Sequence, residues 1–80
     1  MINKTNEIQR RISFICKNFT WEDENKQIIE NLHKLLKAYE GLNDILYYDI
    51  QEDYNNKKIK VIIKIPNESD MIYLIEDDGK

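Results

Sequence analysis

The sequence predicts a two-layer α+β domain in the order ααβββ, with a helical hairpin packed on one face of a three-stranded antiparallel meander. Three observations carry that prediction. Thr20 to Leu42 repeats its apolar residues at helical spacing, Lys4 to Asn18 does the same on a narrower stripe, and beyond Gly41 the repeat changes from 3.6 residues to two. Eighty residues suit one small domain over 1–80, where burial alone leaves little net stability, so self-association is a possible source of more.

The first helix follows from Ile8, Ile12, Ile15 and Phe19, spaced by four, three and four residues, with Cys16 on the flank. Arg10 and Lys17 point away from the stripe; Phe14 lies off it beside Arg11, either over a sheet edge or exposed. A single cysteine forms no internal disulfide, and its place beside the stripe predicts a buried structural thiol.

In the second helix, Trp21, Ile28, Ile29, Leu32, Leu35, Leu36, Tyr39 and Leu42 fall within roughly 140° of a helical wheel, opposite Lys26, Glu30, Lys34 and Lys37. Thr20 is placed to cap its start, with Glu22, Asp23 and Glu24 at the positive end of the macrodipole. Gly41 is placed to close it in the left-handed conformation, with Leu42 folding back onto Leu36. Leu32 and Leu35 are both expected in the core. The short connection around Phe19 and Thr20 predicts a helical hairpin.

Two strands follow, Ile45 to Tyr54 and Lys58 to Ile65. Asn55-Asn56 between them tolerates the positive φ of a tight turn, which sets Ile50 opposite Val61, Tyr48 opposite Ile63 and Asp53 opposite Lys58. Pro66 ends the second strand, PNESD turns the chain, and Met71 to Glu76 forms a third strand before an acidic tail over 76–80 that is expected to fray. Pairing Ile65 with Met71 sets Ile63 opposite Tyr73 and Lys60 opposite Glu76. Alternation gives the helix-covered face Leu46, Tyr48, Ile50, Ile59, Val61, Ile63 and Ile65. Ile45, Tyr47 and Ile62 are left on the other face, joined in that register by Ile72 and Leu74 and, after a one-residue slip, by Met71, Tyr73 and Ile75 instead; that face is then either an interface or covered by the first helix or the tail.

Charge comes in blocks within a net charge of −3: residues 1–20 carry +3, 43–56 carry −4, 57–65 carry +4 and 66–80 carry −4. Segments expected to be spatial neighbours alternate in sign, so the blocks mostly pair internally. Mean hydropathy is −0.69. No apolar run approaches the roughly 20 residues of a membrane span, and the polar start MINKTNEIQRR has no signal-peptide core behind it, which predicts a cytoplasmic protein.

Little in the chain suggests catalysis. The single histidine, His33, lies between Glu30 and Lys37 at ordinary surface spacing, and two glycines write neither a phosphate-cradling loop nor a dinucleotide fingerprint. Alternation sends Glu52 to the face opposite Asp49 and Asp53, against an acid pair or a metal cluster. The expectation is a non-enzyme with no cofactor and no metal. Lys57, Lys58, Lys60 and Lys64 with Tyr47 resemble a basic platform, but the acids of the preceding strand cancel it and an isoelectric point near 5.1 opposes direct nucleic-acid binding.

Asp44-Ile45-Leu46-Tyr47-Tyr48, behind a helical hairpin in a small acidic chain, resembles the Asp-aliphatic-aliphatic-Tyr-Tyr segment with which nuclease-colicin immunity proteins bind their toxins. The resemblance spans five residues. That family is all-helical and continues with Pro, whereas here Asp49 follows and then the strand sequence KIKVIIKI.

Size, acidic balance and tyrosine content then predict a small protein-binding module. Its expected role is a stoichiometric inhibitor or regulator of a larger nucleic-acid-processing protein, of the anti-defence type carried by phages and mobile elements. The alternatives are an immunity protein or antitoxin for a co-encoded toxin, and a dimeric nucleic-acid-binding regulator that uses the lysine strand. The candidate partner-binding residues are Tyr47, Asp49, Asp53, Lys60, Ile62, Lys64, Ile72 and Leu74, on a sheet face that would receive a larger protein or form a homodimer.

Overall fold

A computed structural model describes residues 4–22 and 25–77. The elements are α1 (Lys4–Ile15), α2 (Lys26–Gly41), β1 (Tyr47–Asp53), β2 (Lys58–Lys64) and β3 (Met71–Glu76), and the antiparallel sheet has the order β1-β2-β3. Both helices lie on one face of the sheet: α2 reaches β1 through His33 and Tyr48, and α1 reaches β3 through a hydrogen bond between the Ser13 and Tyr73 hydroxyls. Between the layers Ile8 and Ile12 of α1, Leu32, Leu36 and Tyr39 of α2, and Ile59, Val61, Ile63 and Ile75 of the sheet are buried, with Phe19, Ile45 and Ile65 closing the core.

α1 ends three residues before Asn18, because Asn18 adopts a left-handed φ of 58° and the Phe19 N–H turns back to the Cys16 carbonyl at 3.1 Å. Cys16 is half-buried, and that burial raises its thiol pKa to about 11. Phe14, for which two positions were open, is exposed.

α2 begins at Lys26, six residues later than the apolar spacing suggests. Thr20 is exposed and caps nothing; Asn25 holds the position before the helix, its carbonyl accepting from Ile29 N–H at 3.1 Å, and no side chain caps there. Tertiary contacts override the local signal. The Trp21 N–H donates to the Asp77 carboxylate at 2.9 Å, and the Trp21 ring meets Phe19 and Tyr54 edge-on at 6.4 and 5.3 Å. Ring packing thus draws residues 19–22 along the end of the core as irregular chain. Asp23 and Glu24, expected in the first turn, lie outside the described residues.

The far end of α2 is closed two residues later than Gly41 suggests. Gly41 is the last helical residue, and Asn43 takes the left-handed φ of 62°. Asn43 N–H reaches the Glu40 carbonyl at 3.0 Å and Asp44 N–H the Tyr39 carbonyl at 2.9 Å, the paired bonds of a Schellman closure. Leu42 is exposed and does not fold back onto Leu36. Of the two leucines expected in the core, Leu32 is fully buried and Leu35 only half-buried at the margin.

β1 and β2 pair in the expected register, with Ile50 opposite Val61, Tyr48 opposite Ile63 and Asp53 opposite Lys58. Their connection runs over residues 54–57; the positive φ falls on Lys57, at 55°, not on Asn55 or Asn56. Asp53 holds that turn by accepting the Asn56 backbone and side-chain N–H groups at 3.2 and 2.8 Å. β1 starts at Tyr47, not Ile45, because the Schellman closure consumes Asp44 and turns Ile45 into the core; Leu46 is exposed instead of inward.

β3 spans the predicted residues but slides by two. Ile63, not Ile65, lies opposite Met71, so Val61 meets Tyr73, Lys58 meets Glu76, and Lys60 meets Leu74. Asn67, at φ 63°, and a Glu68 N–H bond to the Ile65 carbonyl at 3.2 Å draw residues 65–70 into a longer turn. A slip of two keeps every side chain on its face, whereas a slip of one would have reversed them. Glu76 belongs to β3 and Asp77 is tied to Trp21, so the expected fraying does not reach them; residues 78–80 lie outside the described set. β3 is a terminal strand, and its first five residues, MIYLI, carry no charge.

Candidate protein-binding surface

The pairing registers place all eight candidate residues on the sheet face away from the helices: Tyr47, Asp49 and Asp53 on β1, Lys60, Ile62 and Lys64 on β2, Ile72 and Leu74 on β3. Ile62 sits at the centre with Asp49 on one side and Ile72 on the other, Lys60 lies between Gln51 and Leu74, and Lys64 is opposite Tyr47. Tyr47, Ile72 and Leu74 remain 45%, 58% and 54% exposed, so an apolar strip crosses the sheet uncovered. Neither α1 nor Asp77 folds over it, since both are engaged elsewhere.

The rim is charged and mostly paired. Lys58 approaches Glu76 at 3.9 Å and Lys64 approaches Asp70 at 3.2 Å, while Gln51 donates to Asp49 at 2.7 Å. Asn56 donors hold the Asp53 carboxyl below the usual carboxylate range, its side chain contributing most. Lys60, expected to meet Glu76, instead stands beside Leu74 and makes no ion pair among the described residues. Lys60 is half-buried as a residue, with Ile62 two positions along on the same face.

Other polar groups engage one another on the helical side. His33 Nδ1 and the Tyr48 hydroxyl are 2.8 Å apart with the rings edge-on, and burial raises the Tyr48 pKa, with Glu40 adding to the shift. The Tyr39 hydroxyl donates to Glu7 at 2.6 Å; Lys4 and Arg11 lie 3.5 and 3.8 Å from that carboxylate. Glu7 is consequently shifted down, chiefly by Tyr39, and the Tyr39 phenol is pushed up to about 12 by burial and by Glu7. Among the described residues no group of three or more His, Cys, Asp or Glu could hold a metal, and no helix is long and apolar enough to cross a membrane.

Sequence reasoning missed a second surface. The outward valley between α1 and α2 is an open groove of about 720 Å³ lined by Glu7, Arg10, Arg11, Phe14, Ile15 and Leu35. Phe14's position off the apolar stripe beside Arg11 was the available signal. The layers also differ in charge: α1 and α2 hold six Lys and Arg against three Glu, whereas residues 42–77 hold four Lys against eight Asp and Glu.

Comparisons with protein-family models, with curated proteins and with solved structures found no match to this chain.

Proposed function

We propose that the chain is a protein-binding module whose outer sheet face docks onto a larger protein and acts by occupying it, as a stoichiometric inhibitor or regulator. The observation that carries this reading is the uncovered apolar strip of Tyr47, Ile62, Ile72 and Leu74, set in a rim of alternating charge on a regular sheet. An apolar centre with a polar rim is the usual anatomy of a recognition surface, and a sheet presents it with little ordering cost. The face itself sets Asp49, Asp53 and Glu76 against Lys58, Lys60 and Lys64, a balance that offers phosphate no net attraction and suits a protein partner over a nucleic acid.

The test combines Ile62→Lys with Tyr47→Ala. Circular dichroism and thermal melting should show a folded protein, while the partner that wild type retains from host lysate is no longer retained and any self-association seen by sedimentation is lost. An unfolded double variant would mean that the face is core, and undiminished retention would place the interface elsewhere.

A further inference from the structure

The helical groove has its own chemistry and lies on the layer opposite the outer sheet face. Its floor is apolar, from Ile15 and Leu35, and the Phe14 ring stands over it at 80% exposure. Leaving so large a ring in water gains nothing for folding, whereas Phe and Arg are the residue types that anchor interfaces. Two guanidiniums, Arg10 and Arg11, flank the ring, and Arg10 makes no ion pair among the described residues. The one carboxylate lining the groove, Glu7, is already satisfied by the Tyr39 hydroxyl, Lys4 and Arg11.

The field in the groove is therefore positive, reinforced by the surplus of cations on the two helices. An apolar floor with arginines on its rim is a poor cradle for a phosphate chain, which needs converging donors more than apolar area. It matches the helix-in-groove mode, in which apolar side chains at i, i+3 or i+4 and i+7 seat in a groove and flanking carboxylates meet its arginines. At 1.5 Å per residue the 12 residues of α1 provide about 18 Å, enough for roughly three turns of a partner helix. We infer that the α1–α2 groove is a docking site for an acidic amphipathic helix of a second protein. This would make the chain a two-sided adaptor, and the inference does not depend on what the sheet face binds.

Three fluorescein-labelled probes test it by anisotropy against the full chain: a 16-residue helical peptide with leucines at i, i+3, i+4 and i+7 and glutamates between them, the same peptide with lysines replacing the glutamates, and a 16-nucleotide oligothymidylate. The acidic peptide should bind saturably with Kd at or below about 100 µM, and the lysine peptide at least about tenfold more weakly. Phe14→Ala and Arg10→Glu should each weaken the acidic peptide about tenfold or more, both variants remaining folded by circular dichroism because the side chains are exposed. Ile62→Lys should leave that affinity unchanged, which separates this site from the sheet face. No saturable binding of the acidic peptide, binding indifferent to Phe14 and Arg10, or tighter binding of the oligothymidylate would each overturn the inference.

Discussion

Whether the outer face of the sheet is free can be decided by two truncations on opposite sides of the same β2–β3 ladder. Ile63 is fully buried beneath the helices, whereas Ile72, opposite Ile62 on β3, is 58% exposed. Ile63→Ala removes apolar atoms from a closed core and leaves a cavity, at a cost of about 2–5 kcal/mol. At roughly 0.05–0.15 kcal/mol per residue, a chain of this length is stable by only about 4–12 kcal/mol, so that variant is severely weakened or unfolded in water. Ile63→Val, at about 0.5–1.5 kcal/mol, keeps the comparison measurable if it is. Ile72→Ala removes contacts that face water and should cost no more than about 1 kcal/mol, mostly through lost strand preference. Urea unfolding read by Trp21, the single tryptophan, whose ring packs on Phe19 and Tyr54, reports both variants. With a slope near 1 kcal/mol/M, the alanine at 63 lowers the midpoint by roughly 2 M or more and the alanine at 72 by about 1 M or less. Equal losses at the two positions would mean that something covers the outer face, and the proposed interface would go with it.

Three further outcomes follow from the helix ends and from the polar cluster at Tyr39. Tyr39 has a folded pKa of about 12 against an ordinary 10, so the stability it contributes is full below pH 10 and is lost as pH rises through 12. Glu7 is shifted down, so its contribution is present above its unfolded pKa and disappears as pH falls through the folded value. Tyr39→Phe should flatten both limbs of the stability–pH curve measured by urea unfolding; because Tyr48 and Tyr54 are also raised, the difference from wild type is the readout, and identical curves would refute the coupling. At the close of α2, Asn43→Ala should cost about 1 kcal/mol for a left-handed alanine, with Asn43→Gly neutral or better. Thr20→Ala should stay within about 0.5 kcal/mol by thermal melting, since Thr20 caps nothing; a loss near 1 kcal/mol would restore it as the cap.

The parts of this architecture that can be read from residue order are those set by period. Apolar spacing placed two helices and three strands in order, and alternation put Ile62, Ile72 and Leu74 on one face even though β3 pairs two residues away from the expected register. What could not be read depends on partners distant in sequence. The Thr20 signal for a helix start is locally sound, but it loses to Trp21, whose backbone is held by Asp77 near the far end of the chain and whose ring is held by Tyr54 of the β1–β2 connection. Ile45 and Leu46 exchange faces because Asn43 and Asp44 spend their N–H groups closing α2, which a period-two pattern does not record. The candidate face was legible as a surplus of apolar residues. The helical groove was not, because Phe14 and Arg10, neighbours on α1, form a groove only when the second helix brings Leu35 beside them.

The uncharged run at the sheet's edge bears on how the protein behaves in concentrated solution. MIYLI combines strong strand preference, no proline and no charge, the composition of segments that stack into fibrils when a chain opens. Asp70 precedes the run and Glu76 and Asp77 follow it, so two chains approaching through this edge bring like charges together at both ends. Lys64 and Lys58 offset part of that repulsion by pairing with Asp70 and Glu76, which leaves Asp77 to carry most of the gatekeeping. Asp77→Asn removes that charge and weakens the hold on Trp21 that anchors the end of the strand. Clouding, thioflavin-positive aggregates and loss of soluble protein should then set in at lower protein concentration than for wild type, and Leu74→Lys, on the outer face of that strand, should delay them without disturbing the core.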